Sequence, residues 1–87
     1  MDQDRSSKID PKRPVYVYVQ VADDLEQQIK DGRLAPGAML PGEKVLAEIY
    51  GVSYLTIRRA LAEMRRRGLV ITLPSKGTYV TEAPQEG

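Results

Sequence analysis

A mostly α-helical domain closed by a small β-hairpin is what the sequence predicts, and three observations predict it. Apolar residues recur at three- and four-residue spacing in three stretches, the spacing of helices with one buried face. Gly32, Gly51 and Gly68 close those stretches, and glycine is the residue that most readily ends a helix. Near the C-terminal end, two β-branched and apolar runs flank Pro74-Ser75-Lys76-Gly77, the pattern of a hairpin. The 87 residues leave room for one small domain, and such a domain buries a little over ~60% of the surface its unfolded chain exposes.

Residues 1–14 hold a single Ile in a mixture of Asp, Ser, Lys and Arg, with Pro11 and Pro14 bracketing Lys12 and Arg13, so a flexible N-terminal arm is expected there. The domain itself is placed at residues 15–81. Its first helix is assigned to residues 18–31, where Tyr18, Val21, Ala22, Leu25 and Ile29 share a face. The β-branched residues between Val15 and Val21 leave its start open to a short extended lead-in. Residues 32–42 are too rich in Pro and Gly for a regular element, although Leu34 and Leu40 are expected to pack inward. A short second helix covers residues 43–50, with Val45, Leu46 and Ile49 on its apolar side and Gly42 as an N-cap lacking a side-chain acceptor.

Gly51-Val52-Ser53 makes the next turn, and Ser53 suits the cap of a third helix over residues 54–67. On that helix Ile57, Ala60, Leu61 and Met64 cluster on one face, while Leu55, Arg59, Ala62 and Arg66 fall opposite and Arg58 and Arg65 lie on the flank. Strands are assigned to residues 69–73 and 78–81, separated by a basic tip at residues 74–77. Residues 82–87 form a flexible acidic tail.

Composition narrows function before any motif does. The absence of Cys and His excludes disulfides, thiolate nucleophiles, a histidine base and a structural zinc site. The Ser, Lys, Tyr and carboxylate residues that remain show no spacing that pairs a nucleophile with a base, so neither an enzyme nor a bound cofactor is expected. No apolar run approaches the ~20 residues of a transmembrane helix, and no secretory leader pattern is present, so the chain is read as cytoplasmic. A formal net charge of +1 hides an uneven distribution. Residues 52–81 carry Arg58, Arg59, Arg65, Arg66, Arg67 and Lys76 against Glu63 alone, which suits a polyanionic partner or, more plainly, a solvated helix face.

Helix, helix, three-residue turn, helix and hairpin is the layout of a winged helix-turn-helix. In that arrangement the second helix of the pair enters the DNA major groove with its N-terminal residues at base edges. Ser53, Tyr54, Leu55, Arg58 and Arg59 occupy that position here. The same layout also serves as a protein-interaction module that does not bind DNA, and this is the rival reading.

Between Tyr18 and Val80 the chain carries Leu40-Pro41-Gly42-Glu43-Lys44, Leu46-Ala47-Glu48, Gly51-Val52-Ser53, Thr56-Ile57-Arg58-Arg59-Ala60-Leu61, Gly68-Leu69-Val70 and Lys76-Gly77-Thr78-Tyr79-Val80, in that order. This succession resembles the N-terminal winged helix-turn-helix domain of GntR-type bacterial transcription regulators. The resemblance implies a sequence-specific regulator that places helix 54–67 in the major groove of double-stranded DNA and wing 74–77 near the minor groove. It implies that Lys44 reaches DNA from the start of the second helix, that Ser53, Thr56 and Arg58 belong to the recognition motif, and that Lys76 and Gly77 form the wing. Three positions depart from the family pattern: Gly42 replaces a usual Ser or Ala, Tyr54 and Leu55 replace a more polar pair, and Ser75 stands where the wing often has Gly. Regulators of this kind have a C-terminal domain that binds a small metabolite and joins subunits, and no effector site is expected within these residues. A chain ending soon after Val80 is either an N-terminal portion of such a regulator or a stand-alone binder without a ligand switch, and a monomer or weak dimer that pairs as a homodimer on a palindromic operator is expected.

Each position also has a reading from its own chemistry. Arg58 offers a planar fork that pairs bidentately with guanine O6 and N7, or else flanks the core and pairs with a Glu. Lys44, Arg59 and Lys76 suit phosphate better than bases, because at least half of protein–DNA hydrogen bonds go to the backbone. Ser53 is a cap first. Leu55 is either a contact for a thymine methyl or an ordinary exposed leucine. Of Arg65, Arg66 and Arg67, at least two are expected to complement the helix macrodipole, with a phosphate contact by Arg65 or Arg66 secondary.

Overall fold

Val21, Leu25, Leu46, Ile57, Met64 and Val80 meet in one apolar core, contributed by three helices and the inner edge of a hairpin. The computed structural model describes residues 9–82. Helix α1 runs Val17–Lys30, α2 Glu43–Tyr50 and α3 Tyr54–Arg66, followed by strands β1 Val70–Leu73 and β2 Gly77–Val80. The strands pair antiparallel with Val70 opposite Val80 and Leu73 opposite Gly77. Three helices plus a two-stranded wing is the expected architecture.

Helix α1 begins at Val17, so the β-branched stretch is helical from Val17 onward and only Val15 and Tyr16 lead into it, Tyr16 with ψ 141°. Gln20 gives the reason. Its side chain is buried, and its amide donates to the carbonyls of Asp10 and Val15 while its oxygen accepts from the Asp10 N–H. The chain entering the helix is tied down at 2.8–2.9 Å from the first turn, and packing of Val21, Ala22 and Leu25 outweighs a weak local preference. Of the arm expected at residues 1–14, residues 1–8 lie outside the described residues, whereas Ile9 packs against the core and Asp10 is held by Gln20. Of the tail, residues 83–87 lie outside them.

Helix α2 turns a different face inward from the one its sequence suggests. Leu46, Ala47 and Tyr50 are buried, while Val45 and Ile49 remain 46% and 41% exposed. Eight residues carry two overlapping apolar arcs, and Tyr50 decides between them: its hydroxyl donates to Asp24 Oδ2 and accepts from Gln28 Nε2, both on α1. Burial and the neighbouring Asp24 carboxylate push the Tyr50 hydroxyl well above the ordinary tyrosine range. The helix ends at Gly51, in the left-handed conformation at φ +67°, a conformation glycine adopts without steric penalty.

Residues 32–42, expected to be irregular, also stitch the wing to the helices. Leu34 is half-buried and Leu40 buried, as expected. In addition Met39 forms an antiparallel bridge with Tyr79, the Leu40 N–H donates to the Thr78 carbonyl, and the Val80 N–H donates to the Ala38 carbonyl. A single bridge has no alternating pattern and leaves no trace in sequence. The hairpin tip is tighter than residues 74–77, because Gly77 already pairs with Leu73. Lys76 N–H donates to the Leu73 carbonyl at 2.9 Å, Pro74 takes the second position and Ser75 has φ +67°, the features of a type II turn.

Candidate nucleic-acid interface

Helix α3 begins with a cap that fixes the orientation of everything after it. Ser53 Oγ accepts from the Thr56 N–H at 3.1 Å and donates to Thr56 Oγ1 at 3.1 Å. Both hydroxyls are therefore engaged in the cap, as Ser53 was expected to be, and Thr56 is half-buried. Because Ile57, Ala60, Leu61 and Met64 face the core, the helical period turns Tyr54 and Leu55 outward on the first turn. They are 51% and 57% exposed.

Arg58 extends from the same end, and its Nε donates to Glu43 Oε1 at 3.1 Å. The guanidinium side chain stays 67% exposed, so the ion pair aims the group without covering it. Lys44, beside Glu43 at the start of α2, is exposed, as is Lys76 at the wing tip. Lys44, Arg59 and Lys76 make no ion pair among the described residues. Arg59 is not with the others: it lines a groove on the opposite flank of α3 with Tyr16, Tyr18, Ala62, Glu63 and Arg66. Ser75 is exposed in the turn, and Gly77 follows it at φ +140° with the Met39 sulfur close enough that a Cβ would sit 3.1 Å from it.

The C-terminal end of α3 is electrostatically closed. Arg66 pairs with Glu63, and Arg67 reaches Glu63, Asp23 and Glu26, the last at 2.7 Å. Hydrogen bonds from Arg66 and then Arg67 draw the Glu63 carboxyl down to about 2. Burial opposes the charge on Arg67, yet its bonds to Glu63, Asp23 and Glu26 hold that guanidinium above its ordinary range. Arg67 latches the end of α3 to α1, and Arg66 pairs within α3. Arg65 alone turns toward the wing, donating to Thr72 Oγ1 at 2.9 Å. Among the described residues of the helices and wing, the cations without an ion pair are thus Lys44 at the start of α2, Arg59 on the far flank of α3, Arg65 and Lys76 at the wing tip, and Arg58 adds an exposed guanidinium held by Glu43.

Sequence reasoning did not single out Glu43. Its signal was present in the acidic residue preceding Lys44, but only the packing of α2 on α3 reveals that it meets Arg58. Among the described residues no cluster of acidic side chains suits a metal ion, and no helix is long and apolar enough to cross a membrane.

Comparison with known proteins is consistent with this geometry. The family described as bacterial regulatory proteins, gntR family, matches residues 17–80. The chain is 37% identical over 78 residues to the HTH-type transcriptional repressor NagR of Bacillus subtilis (strain 168), an alignment covering 90% of this chain and 32% of that protein. It is 39% identical over 66 residues to the repressor MngR of Escherichia coli (strain K12), a mannosyl-D-glycerate transport/metabolism system repressor, covering 76% of this chain and 28% of that one. The chain thus spans about a third of the length of these relatives. Among solved structures it resembles YtrA from Sulfolobus acidocaldarius, a GntR-family transcription factor, with a TM-score of 0.79 and 32% identity over 90% of this chain and 81% of that one. It also resembles AraR(DBD) in complex with operator ORX1, with a TM-score of 0.74 and 28% identity over 84% of this chain and 94% of that one.

Proposed function

Because the chain belongs to the gntR family of bacterial regulatory proteins, a family of regulators and not of enzymes, we propose that it binds double-stranded DNA sequence-specifically and regulates transcription. Helix α3 enters the major groove and the wing tip approaches the minor groove. One observation carries the reading: among the described residues Lys44 and Lys76 are exposed without an ion pair at the start of α2 and the wing tip and Arg58 stays 67% exposed beside Glu43, while Arg66 and Arg67 at the other end of α3 are neutralised by Glu63, Asp23 and Glu26. A solvated helix face would have no reason to sort its charges this way. The AraR(DBD) complex with an operator supports the same use of the fold.

In this reading Arg58 reads a guanine with the fork that Glu43 leaves free, Lys44 and Lys76 hold phosphates, and Tyr54 and Leu55 meet base edges. Ser53 and Thr56 hold the helix start against the groove, Ser75 and Gly77 shape the wing, and Arg59 contributes from the opposite flank. Residues 15–81 are the binding unit, acting on chromosomal DNA in the cytoplasm as a homodimer on a palindromic operator. Selection from a random duplex pool followed by salt titration tests it: log K falls with log[salt] by about 0.9 per phosphate neutralised. Binding that is flat in salt, or absent for every duplex, favours the protein-interaction module instead.

A further inference from the structure

The cleft between α3 and the wing holds a cation that the reading above leaves without a role. Glu43, Arg58, Leu61, Arg65, Thr72 and Thr78 line it. Arg65 Nη1 donates to Thr72 Oγ1 at 2.9 Å, and Thr72 Oγ1 lies 3.0 Å from Thr78 Oγ1, directly opposite it in the hairpin register. The hydroxyl that braces this guanidinium brings no opposing charge to it. Among the described residues Arg65 makes no ion pair, in contrast to Arg66 and Arg67, and one of its five N–H donors is engaged, by Thr72.

The position of the cleft determines what meets it. The inference rests on the proposed placement of α3 in the major groove and the wing tip at the minor groove. In a duplex those two grooves are separated by one sugar-phosphate strand, so that strand has to cross the protein surface between α3 and the wing. We propose that this cleft seats the strand and that Arg65, braced by Thr72, binds a non-bridging phosphate oxygen in it. Two turns separate Arg58 from Arg65 on the same flank of α3, which divides the labour: the first faces base edges, the second the backbone. Glu43 stands at the Arg58 end of the cleft, where its carboxylate repels phosphate and favours the Arg65 end.

The test uses a duplex selected from a random pool, and a series of the same duplex in which phosphates are replaced one at a time by neutral methylphosphonates. Arg65→Ala is expected to lower the salt slope by about one unit and to weaken selected and unselected duplexes by the same factor. It also becomes insensitive to a methylphosphonate that weakens the unaltered chain. Arg65→Lys, which retains the charge, and Thr72→Val, which removes only the brace, keep the slope. The inference is overturned by an Arg65→Ala variant whose slope and methylphosphonate profile match the unaltered chain. It is equally overturned if Thr72→Val lowers the slope as much as Arg65→Ala does, because Arg65 then only pins the wing. Absence of salt-dependent binding by the unaltered chain has a different meaning: it removes the functional reading on which this one stands.

Discussion

Glu43 and Arg58 are 15 residues apart in the chain and meet across the helix pair, with Oε1 accepting from Nε at 3.1 Å. An arginine held at Nε loses rotamer freedom before it reaches DNA while its two terminal nitrogens stay free, and side-chain freedom of this kind is worth up to about 2 kcal/mol. Glu43→Gln keeps an acceptor for Nε and removes a negative charge beside the duplex, so it is expected to tighten binding to all sequences and to leave base preference intact. Glu43→Ala is expected to lower discrimination at the pair that the proposed function assigns to Arg58 by about 1 kcal/mol. Competition titrations against duplexes altered at single pairs check both, and equal discrimination in the two variants would show that Glu43 does not aim Arg58.

Leu55 is 57% exposed on the first turn of α3, where only an apolar contact is open to it. The apolar feature of the major groove is the thymine methyl. Replacing a thymine next to the Arg58 site with uracil is expected to weaken binding by about 0.8 kcal/mol, the worth of one buried methylene-sized group. Leu55→Ala should abolish the thymine–uracil difference without changing the salt slope. Silence of the uracil substitution at every position would return Leu55 to the class of ordinary surface leucines.

The latch at the other end of α3 has a pH signature. Glu63 is drawn from the ordinary glutamate range to about 2 by Arg66 and Arg67, so its folded-state value lies below its unfolded one. The stability it contributes is complete above the unfolded value and is lost as pH falls from there toward 2. Thermal melts across that acidic window should show a steeper decline for the unaltered chain than for Glu63→Gln, with the two curves parallel at neutral pH. Parallel curves throughout would mean that the latch does not titrate as described.

Two residues of the wing are expected to respond in opposite directions to changes of a single methylene or hydroxymethyl group. Ser75 holds φ +67° without being glycine, so Ser75→Gly should stabilise the fold by roughly 0.5–1 kcal/mol, a rise of a few degrees in Tm. Gly77→Ala should destabilise it by at least about 1 kcal/mol, since φ is +140° there and the new Cβ would press on the Met39 sulfur. Calorimetric scans of both variants measure the difference, and a lower Tm for Ser75→Gly would contradict the turn geometry.

Periodicity was enough to identify the inward faces of α1 and α3, because thirteen- and fourteen-residue helices repeat their pattern often enough to leave one solution. Helix α2 repeats it only twice, so the pattern points to Val45 and Ile49 beside Leu46, whereas Ala47 and Tyr50 are the residues buried with it, a choice that lies in a hydroxyl reaching Asp24 on another helix. Gln20 was invisible for a related reason: a polar residue in an apolar stripe signals burial only once its partners at Asp10 and Val15 are known. The candidate site shows the same division. Ser53 caps its helix as local chemistry requires, whereas what separates Arg65 from Arg67 is which acidic residues α1 sets opposite the end of α3.

The Met39–Tyr79 bridge and its flanking hydrogen bonds from Leu40 and Val80 join the wing to the segment leading into α2. A hairpin anchored on one edge only could swing to follow whatever groove it met. Held on both sides, this one keeps a set span between its tip and the first turn of α3, and in the proposed function the protein acts on a duplex as a caliper. Any mismatch in groove width then has to be absorbed by bending or narrowing the nucleic acid, a deformation whose energy depends on base steps that no side chain touches. Operators for this chain should therefore share not only contacted bases but the stiffness of the steps between them.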